Sequence, residues 1–275
     1  MGTRSARDWL AALVGIVATV WFSPEAMAWG KEGHQIIAYI AAQQLSPKAR
    51  EGVAALLGGD AEASLVEVST WADDIKRSRR DTGPWHYVDI PISAPGYDAG
   101  RDCPNGECVV AQIDRDLAVI ADKRLAAPVR AEALRFLIHF VGDIHQPLHT
   151  SNNDDRGGNE IRVYFGRRRT NLHALWDTPL VEQLGRDPFV VATSIEAKIT
   201  ADQKSSWSKG RPVEWANETH SVARQFVYSD LSGRGETRAP IILLPDYGLQ
   251  KAPVVRTQLA RAGTRLAWVL NRVFR

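Results

Sequence analysis

The chain has 275 residues, of which 44% are hydrophobic and 24% charged. That balance supports a true core and excludes a disordered or fibrous chain. A net charge of +2 excludes a strong global field toward polyanions or anionic membranes, so any nucleic-acid contact has to be local.

Residues 1–28 read as a leader rather than as part of the fold. Arg4 and Arg7 precede an apolar run over residues 9–22, and Ala26-Met27-Ala28 follows a proline-containing break. A positive start, a run short for a bilayer crossing and a small-x-small site predict a secretory signal peptide cut before Trp29. A membrane anchor is the weaker reading, because the run is short and the cleavage site sits correctly behind it. The expected mature chain is one domain over residues 29–275. It is expected to be exported to a periplasm or the exterior, free of the membrane and monomeric.

Beyond Trp29 the periodicity is mostly helical. Ile36, Ile37, Ile40 and Ala41 mark a first helix, and Ser46-Pro47 starts a second that stops at Gly58-Gly59. Leu65, Val68, Ala72 and Ile75 share one face of a third. Residues 109–125 and 128–144 read as long helices, the second ended by Pro147. Helices over 171–184, 190–201, 213–231 and 254–274 follow. Strand text is short, at 85–90 and 160–165. The fold class is therefore all-α, a mainly helical domain with a short β-hairpin.

Cys103 and Cys108 flank Pro-Asn-Gly-Glu, a turn-prone loop that a local disulfide can close in an oxidising compartment. Two free buried thiols are the alternative. Asn217-Glu-Thr219 matches a glycosylation sequon, meaningful only in a host that glycosylates exported proteins.

The chemistry concentrates between His139 and His149, where three of the chain's seven histidines and Asp143 share eleven residues. On a helix His139 and Asp143, at i and i+4, point the same way. Pro147 breaks the helix, and the turning chain can return His149 to the same site. His173 and Asp177 repeat the spacing downstream, while Asp73, Asp74, His86 and Asp89 add candidate ligands upstream. Imidazole and carboxylate without thiolate suit a hydrolytic zinc site. One such pair would be an ordinary helix-side hydrogen bond; two pairs with His86 and His34 make that a poor explanation. His145 is expected to support the ligands and His220 to lie on the surface, and neither is assigned as a ligand.

With these residues in order, the chain resembles the S1/P1 family of zinc-dependent nucleases. Trp29 and His34 match the family's mature terminus, and Trp71-Ala72-Asp73 its Trp-Ala-Asp segment. His86-Tyr87-Val88-Asp89 matches a His-aromatic-x-Asp motif, and His139 through His149 the long histidine motif. Gly157-Gly158-Asn159 and His173-x-x-x-Asp177 complete the series. The resemblance implies a phospholipase C/P1 nuclease-like fold and three Zn²⁺. The first would be held by Asp73, His86, His139 and Asp143. The second would be held by His149, His173 and Asp177, and the third by Trp29, His34 and again Asp143. Trp29 would bind through its α-amino nitrogen and carbonyl oxygen, an amine that exists only after cleavage behind Ala28. Cys103–Cys108 would match the family's short-loop bridge, while a second, long-range bridge of the fungal members has no cysteines here.

The resemblance also implies a phosphodiesterase acting on single-stranded DNA and RNA, leaving 5′-phosphates and often releasing phosphate from 3′-nucleotides. Water between the first and third metals would be the nucleophile, oriented by Asp73 as the catalytic carboxylate, with the second metal stabilising the leaving 3′-oxygen. Tyr87 is placed to stack a base, and the family analogues of Lys76, Asp89 and Asn159 line the nucleoside pocket. Tyr87 could instead pack in the core. Lys76 could belong to a solvated basic run through Arg80, and Arg167–Arg169 reads as a charged hairpin tip. Two other readings remain, a zinc phospholipase C and a non-catalytic exported zinc-binding protein. The short Trp29-to-His34 spacing and the Tyr87, Asp89 and Asn159 set disfavour the first, and the intact ligand set the second.

Overall fold

The computed structural model describes residues 29–231 and 239–275, and the expected signal peptide lies outside the described residues. In chain order the helices begin with α1 (Lys31–Gln43), α2 (Pro47–Leu57), α3 (Ala61–Val68) and α4 (Trp71–Lys76). α5 (Ala99–Asp102), α6 (Val109–Ala121) and α7 (Ala127–Asp143) follow. A hairpin of β1 (Arg162–Phe165) and β2 (Arg168–Asn171) leads to α8 (Leu172–Asp177) and α9 (Pro179–Glu182). The chain then runs through α10 (Pro188–Glu196), α11 (Ala201–Trp207), α12 (Pro212–Ala223), β3 (Ile241–Ile242) and α13 (Tyr247–Val273). This is a mainly helical domain.

The ends of these helices follow from side-chain chemistry. Ser46 Oγ accepts the Ala49 amide at 3.2 Å with Pro47 in the first turn, and Asp60 and Asn171 cap α3 and α8 in the same way. The buried faces of α1 and α13 pack together in the core, α1 also meeting α3, α7 and α10, while α6 lies against α7. Gly142 makes one close approach possible: a Cβ there would meet His34 Nδ1 at 2.8 Å, so α1 can bring His34 against α7.

Several expected elements differ. The third helix is two, because Ser69 Oγ bonds back to the Val66 carbonyl at 2.8 Å and turns the chain between α3 and α4. Residues 85–90 are no strand. A 3₁₀ segment, Arg80–His86, runs into extended chain that pairs with an irregular stretch, through Val88 N to His149 O at 2.8 Å and Asn152 N to Ile90 O at 2.9 Å. Its alternation is real, with Val88 and Ile90 buried and Tyr87 and Asp89 exposed, but its partner is a loop. The second strand text does become β1, which pairs antiparallel with β2 and parallel with β3, giving the order β2-β1-β3. The helices expected over 171–184 and 190–201 each break, and α13 begins at Tyr247 and carries Pro253 in its second turn.

Cys103 and Cys108 are joined by a disulfide. Among the described residues no helix is long and apolar enough to cross a membrane. The Asn217 sequon lies inside α12, where Asn217 Oδ1 accepts the Tyr97 amide at 2.7 Å and Thr219 is buried, so it is not presented as an acceptor loop.

Candidate metal centre and nucleoside cleft

α7 is buried along its last two turns, and its carboxyl end points His139 and Asp143 into the middle of the domain. Asp143 Oδ2 lies 3.0 Å from His86 Nδ1 and 3.3 Å from His139 Nε2, and its Oδ1 lies 3.4 Å from His34 Nε2. Asp73 on α4 reaches the same place, 3.7 Å from His86 and from His139. His34 stacks on His139 with ring centroids 3.9 Å apart. Beyond Pro147, His149 meets His173 of α8, with Asp177 one turn further on. Ligand atoms thus gather in three groups, each within 4.8 Å: His34, His139 and Asp143; Asp73, His86 and His139; His149, His173 and Asp177. Trp29 is fully buried, and the next amide, Gly30 N, donates to Asp177 O at 2.8 Å. Asp74, among the upstream candidates, is exposed and joins no group.

The hydrogen bonds around the imidazoles fix their tautomers. His139 Nδ1 donates to Ser69 O at 2.8 Å, His149 Nδ1 to His86 O at 2.8 Å and His173 Nδ1 to Gly157 O at 2.7 Å. A carbonyl can only accept, so each of these Nδ1 atoms carries a proton, and on the neutral rings of His149 and His173 the Nε2 keeps a bare lone pair. Yet His149 Nε2 and His173 Nε2 face each other at 3.1 Å. Two bare lone pairs at that distance repel unless a cation lies with them, which is how outer carbonyls orient histidines that ligate metal. Around them His34 Nδ1 and Nε2, Asp73 Oδ2, His86 Nε2, Asp143 Oδ1 and Asp177 Oδ2 are buried with no hydrogen-bond partner. Buried groups are rarely left this way, and these are clustered. The donor set fits a metal ion.

The charges reinforce one another. Burial alone would push His139 down, but Asp143 and Asp73 outweigh it and raise its pKa to about 9. Burial lowers His34 to about 4 and, with His149 beside it, His173 to about 3, so both are neutral donors at ordinary pH. Burial opposes ionisation of Asp143, yet His139, His34 and His86 hold its pKa well below the usual range.

The centre lies at the floor of a cleft of about 600 Å³, whose walls include Lys76, Tyr87, Asp89, Arg156 and Asn159 beside His86, His149 and His173. Tyr87 is 39% exposed, so its ring is a wall and not core. Lys76 Nζ is bonded to Asp73 Oδ1 at 3.2 Å, which ties it to the metal centre more than to the basic run. Asn159 Nδ2 donates to Arg156 O at 2.9 Å, leaving its Oδ1 and its second N–H to offer a ligand. Arg168, at the hairpin tip, pairs with Glu182.

Three features escaped the sequence reading. His220 is buried, not superficial, held by Ser151 Oγ at 2.8 Å and bonded to Ala94 O. Gln146 donates to Asp177 Oδ1 at 2.5 Å and accepts the Leu148 amide, orienting a candidate ligand. Arg156 enters the cleft; its one local signal is its place just before Gly157, whose φ of +60° and tight contact with Leu148 O suit glycine alone.

The S1/P1 Nuclease family model matches residues 29–275. The chain belongs to the S1/P1 nuclease family. It is 34% identical to Endonuclease 2 of Arabidopsis thaliana, over 95% of this chain and 97% of the relative. Nuclease P1 of Penicillium citrinum is 31% identical over 89% of this chain and 97% of its own length. Nuclease S1 of Aspergillus oryzae is 31% identical over 91% and 93% respectively. As a member of this family the chain is a nuclease that hydrolyses phosphodiester bonds, and its three groups of His and Asp ligands are able to bind metal.

Proposed function

We propose that this nuclease is an exported three-zinc enzyme that cuts single-stranded DNA and RNA to 5′-phosphate products and removes phosphate from 3′-nucleotides. The observation that carries the reading is the facing pair of bare Nε2 atoms, His149 and His173, at the floor of a base-sized cleft. Asp73, His86, His139 and Asp143 would hold one ion, His149, His173 and Asp177 a second, and Trp29, His34 and Asp143 a third. Bound zinc would lower the pKa of water toward ~7 and neutralise charge developing on the phosphoryl group.

The rest falls to the protein. Asp73 Oδ2 is free to accept a hydrogen bond from the attacking water, while Lys76 holds the other oxygen of the same carboxylate in place. Gln146 fixes the rotamer of Asp177, and Tyr87 offers the face on which an unpaired base can stack. A base held in a duplex cannot reach that face, which supports the single-strand preference. Removal of residues 1–28 would expose the Trp29 amine.

The test is side-by-side hydrolysis of single-stranded DNA, RNA and phosphatidylcholine by protein beginning at Trp29, treated with chelator and then zinc. Loss and zinc-dependent recovery of nucleic-acid cleavage, with 5′-phosphate ends, is the expected result. Turnover of the lipid alone would overturn it in favour of a phospholipase, and bound zinc without any turnover would leave a binding protein.

A further inference from the structure

One wall of the cleft carries charge that hydrolysis does not use. Arg156 stands on a loop braced from several sides. Asn152 Oδ1 accepts the Asp155 and Gly157 amides at 3.2 and 3.4 Å. Asp155 Oδ1 accepts the Gly158 amide at 2.9 Å and the Tyr228 hydroxyl at 3.0 Å. The Arg156 carbonyl takes both the amide and the Nδ2 of Asn159, and the residue itself is held at φ +56°. An arginine in that backbone region is uncommon and signals a position fixed by its surroundings. The side chain is exposed in the cleft, and among the described residues it makes no hydrogen bond or ion pair. It lines the same cleft as Tyr87 and Asp89. Glu160 is the other anionic group on this wall, and Lys76 is already committed to Asp73.

A carboxylate supplies two acceptors and a guanidinium a planar fork of donors. Among the bases only guanine presents the full complement, with N1–H and N2–H adjacent for the carboxylate and O6 and N7 adjacent for the fork. Adenine, cytosine and uracil each leave one of the two protein groups partly unpaired.

We propose that Arg156 and Asp89 make the cleft a guanine-selective site, with Asp89 accepting from N1–H and N2–H, Arg156 donating to O6 and N7, and Tyr87 stacking the ring. The proposal rests on the nuclease reading of this cleft. The selected base belongs to the nucleotide whose 3′-oxygen leaves, so the enzyme cuts preferentially after guanosine.

The zinc-loaded protein is given GpU, ApU, CpU and UpU, and binding of guanosine and adenosine, which have no scissile bond, is measured in parallel. The wild type is expected to favour GpU by about 10- to 100-fold in kcat/KM, the range of a good bidentate pair, and to bind guanosine more tightly. Arg156→Lys keeps the charge but loses the fork, so GpU should fall toward the other three, which change little. Arg156→Asn, a residue that tolerates the positive φ, should do the same, and Asp89→Asn should also remove the preference. Equal rates on all four substrates and equal nucleoside binding by the wild type would overturn the proposal and leave the nuclease standing. A uniform loss on all four in Arg156→Lys would overturn it too, in favour of a phosphate contact. Failure to cut any of the four would instead sink the catalytic reading, with nucleoside binding still judging the pocket.

Discussion

Among the described residues, Asp143 is the carboxylate that meets His86 and His139 through one oxygen and His34 through the other. Asp143→Asn keeps the shape but replaces an acceptor oxygen with an N–H₂ and removes the charge that sustains His139. Metal content measured by mass spectrometry should drop by at least one ion per chain, and nuclease activity should fall by more than the ~100-fold typical of altering an outer partner. Unchanged metal content would remove Asp143 from the ligand set. A second carboxyl, Asp116, has no such role. It sits on the buried face of α6 with Oδ2 lacking a partner, and burial, opposed by Arg115, raises its pKa to about 8. The unfolded chain releases this proton near pH 4 and the folded chain only near pH 8, so stability falls as pH rises between those values and is level above. Asp116→Asn carries no proton to lose. Its melting temperature should exceed that of the wild type by a margin that widens from pH 4 to pH 8, by up to about 5 kcal/mol for a shift of that size. A constant margin would show that Asp116 does not titrate in this window.

At the scale of elements, legibility tracked sequence separation. His139 and Asp143 could be aligned from spacing alone, since i and i+4 share a helix face wherever the helix goes. Ser69 orients His139 from 70 residues away, and no local pattern announces it. The alternation at residues 85–90 reports which side chains are buried, not what the backbone pairs with, and so a loop-paired segment read as a strand. Arg265 on α13 was equally invisible. It is 2% exposed and donates to His145 Nε2 at 2.9 Å, 120 residues away, and to Glu218 at 2.6 Å. His145 in turn donates to Val141 O, and Gln258, also on α13, donates to His145 O. The last helix thereby braces the turn between Asp143 and His149. Arg265→Met preserves much of the volume but leaves His145 Nε2 buried and unpaired. Because Glu218 is half exposed, the loss should be about 2 kcal/mol rather than the 3–5 of a fully buried pair. Urea denaturation would register it as a lower midpoint with an unchanged slope.

Across the whole molecule, the family motifs in the sequence point to the same residues that gather as candidate ligand groups, because they lie on a few short segments, each of which folds locally. What those motifs left open was how the segments close on one another, and the stretch from Trp29 to His34 is where that matters most. Trp29 is buried against the core, and Gly30 is pinned to the end of α8 through Asp177 O. His34 follows one turn into α1 and stacks on His139, so the first residues of the domain reach the same centre as α7 and α8. If Trp29 supplies its amine, the third ion depends on a group that titrates near ~8 and that a preceding residue would convert into an amide without a usable lone pair. Protein beginning at Trp29 should then bind one more zinc ion per chain than protein carrying a single extra alanine before it. Both should have the same helical circular dichroism, because the remaining core is unaltered. The extended protein should keep the pair of sites built on His86 with His139 and on His149 with His173, but lose most of its cleavage of single-stranded DNA. Equal zinc content in the two proteins would show that the terminal amine is not a ligand, and that His34 and Asp143 need no help from it.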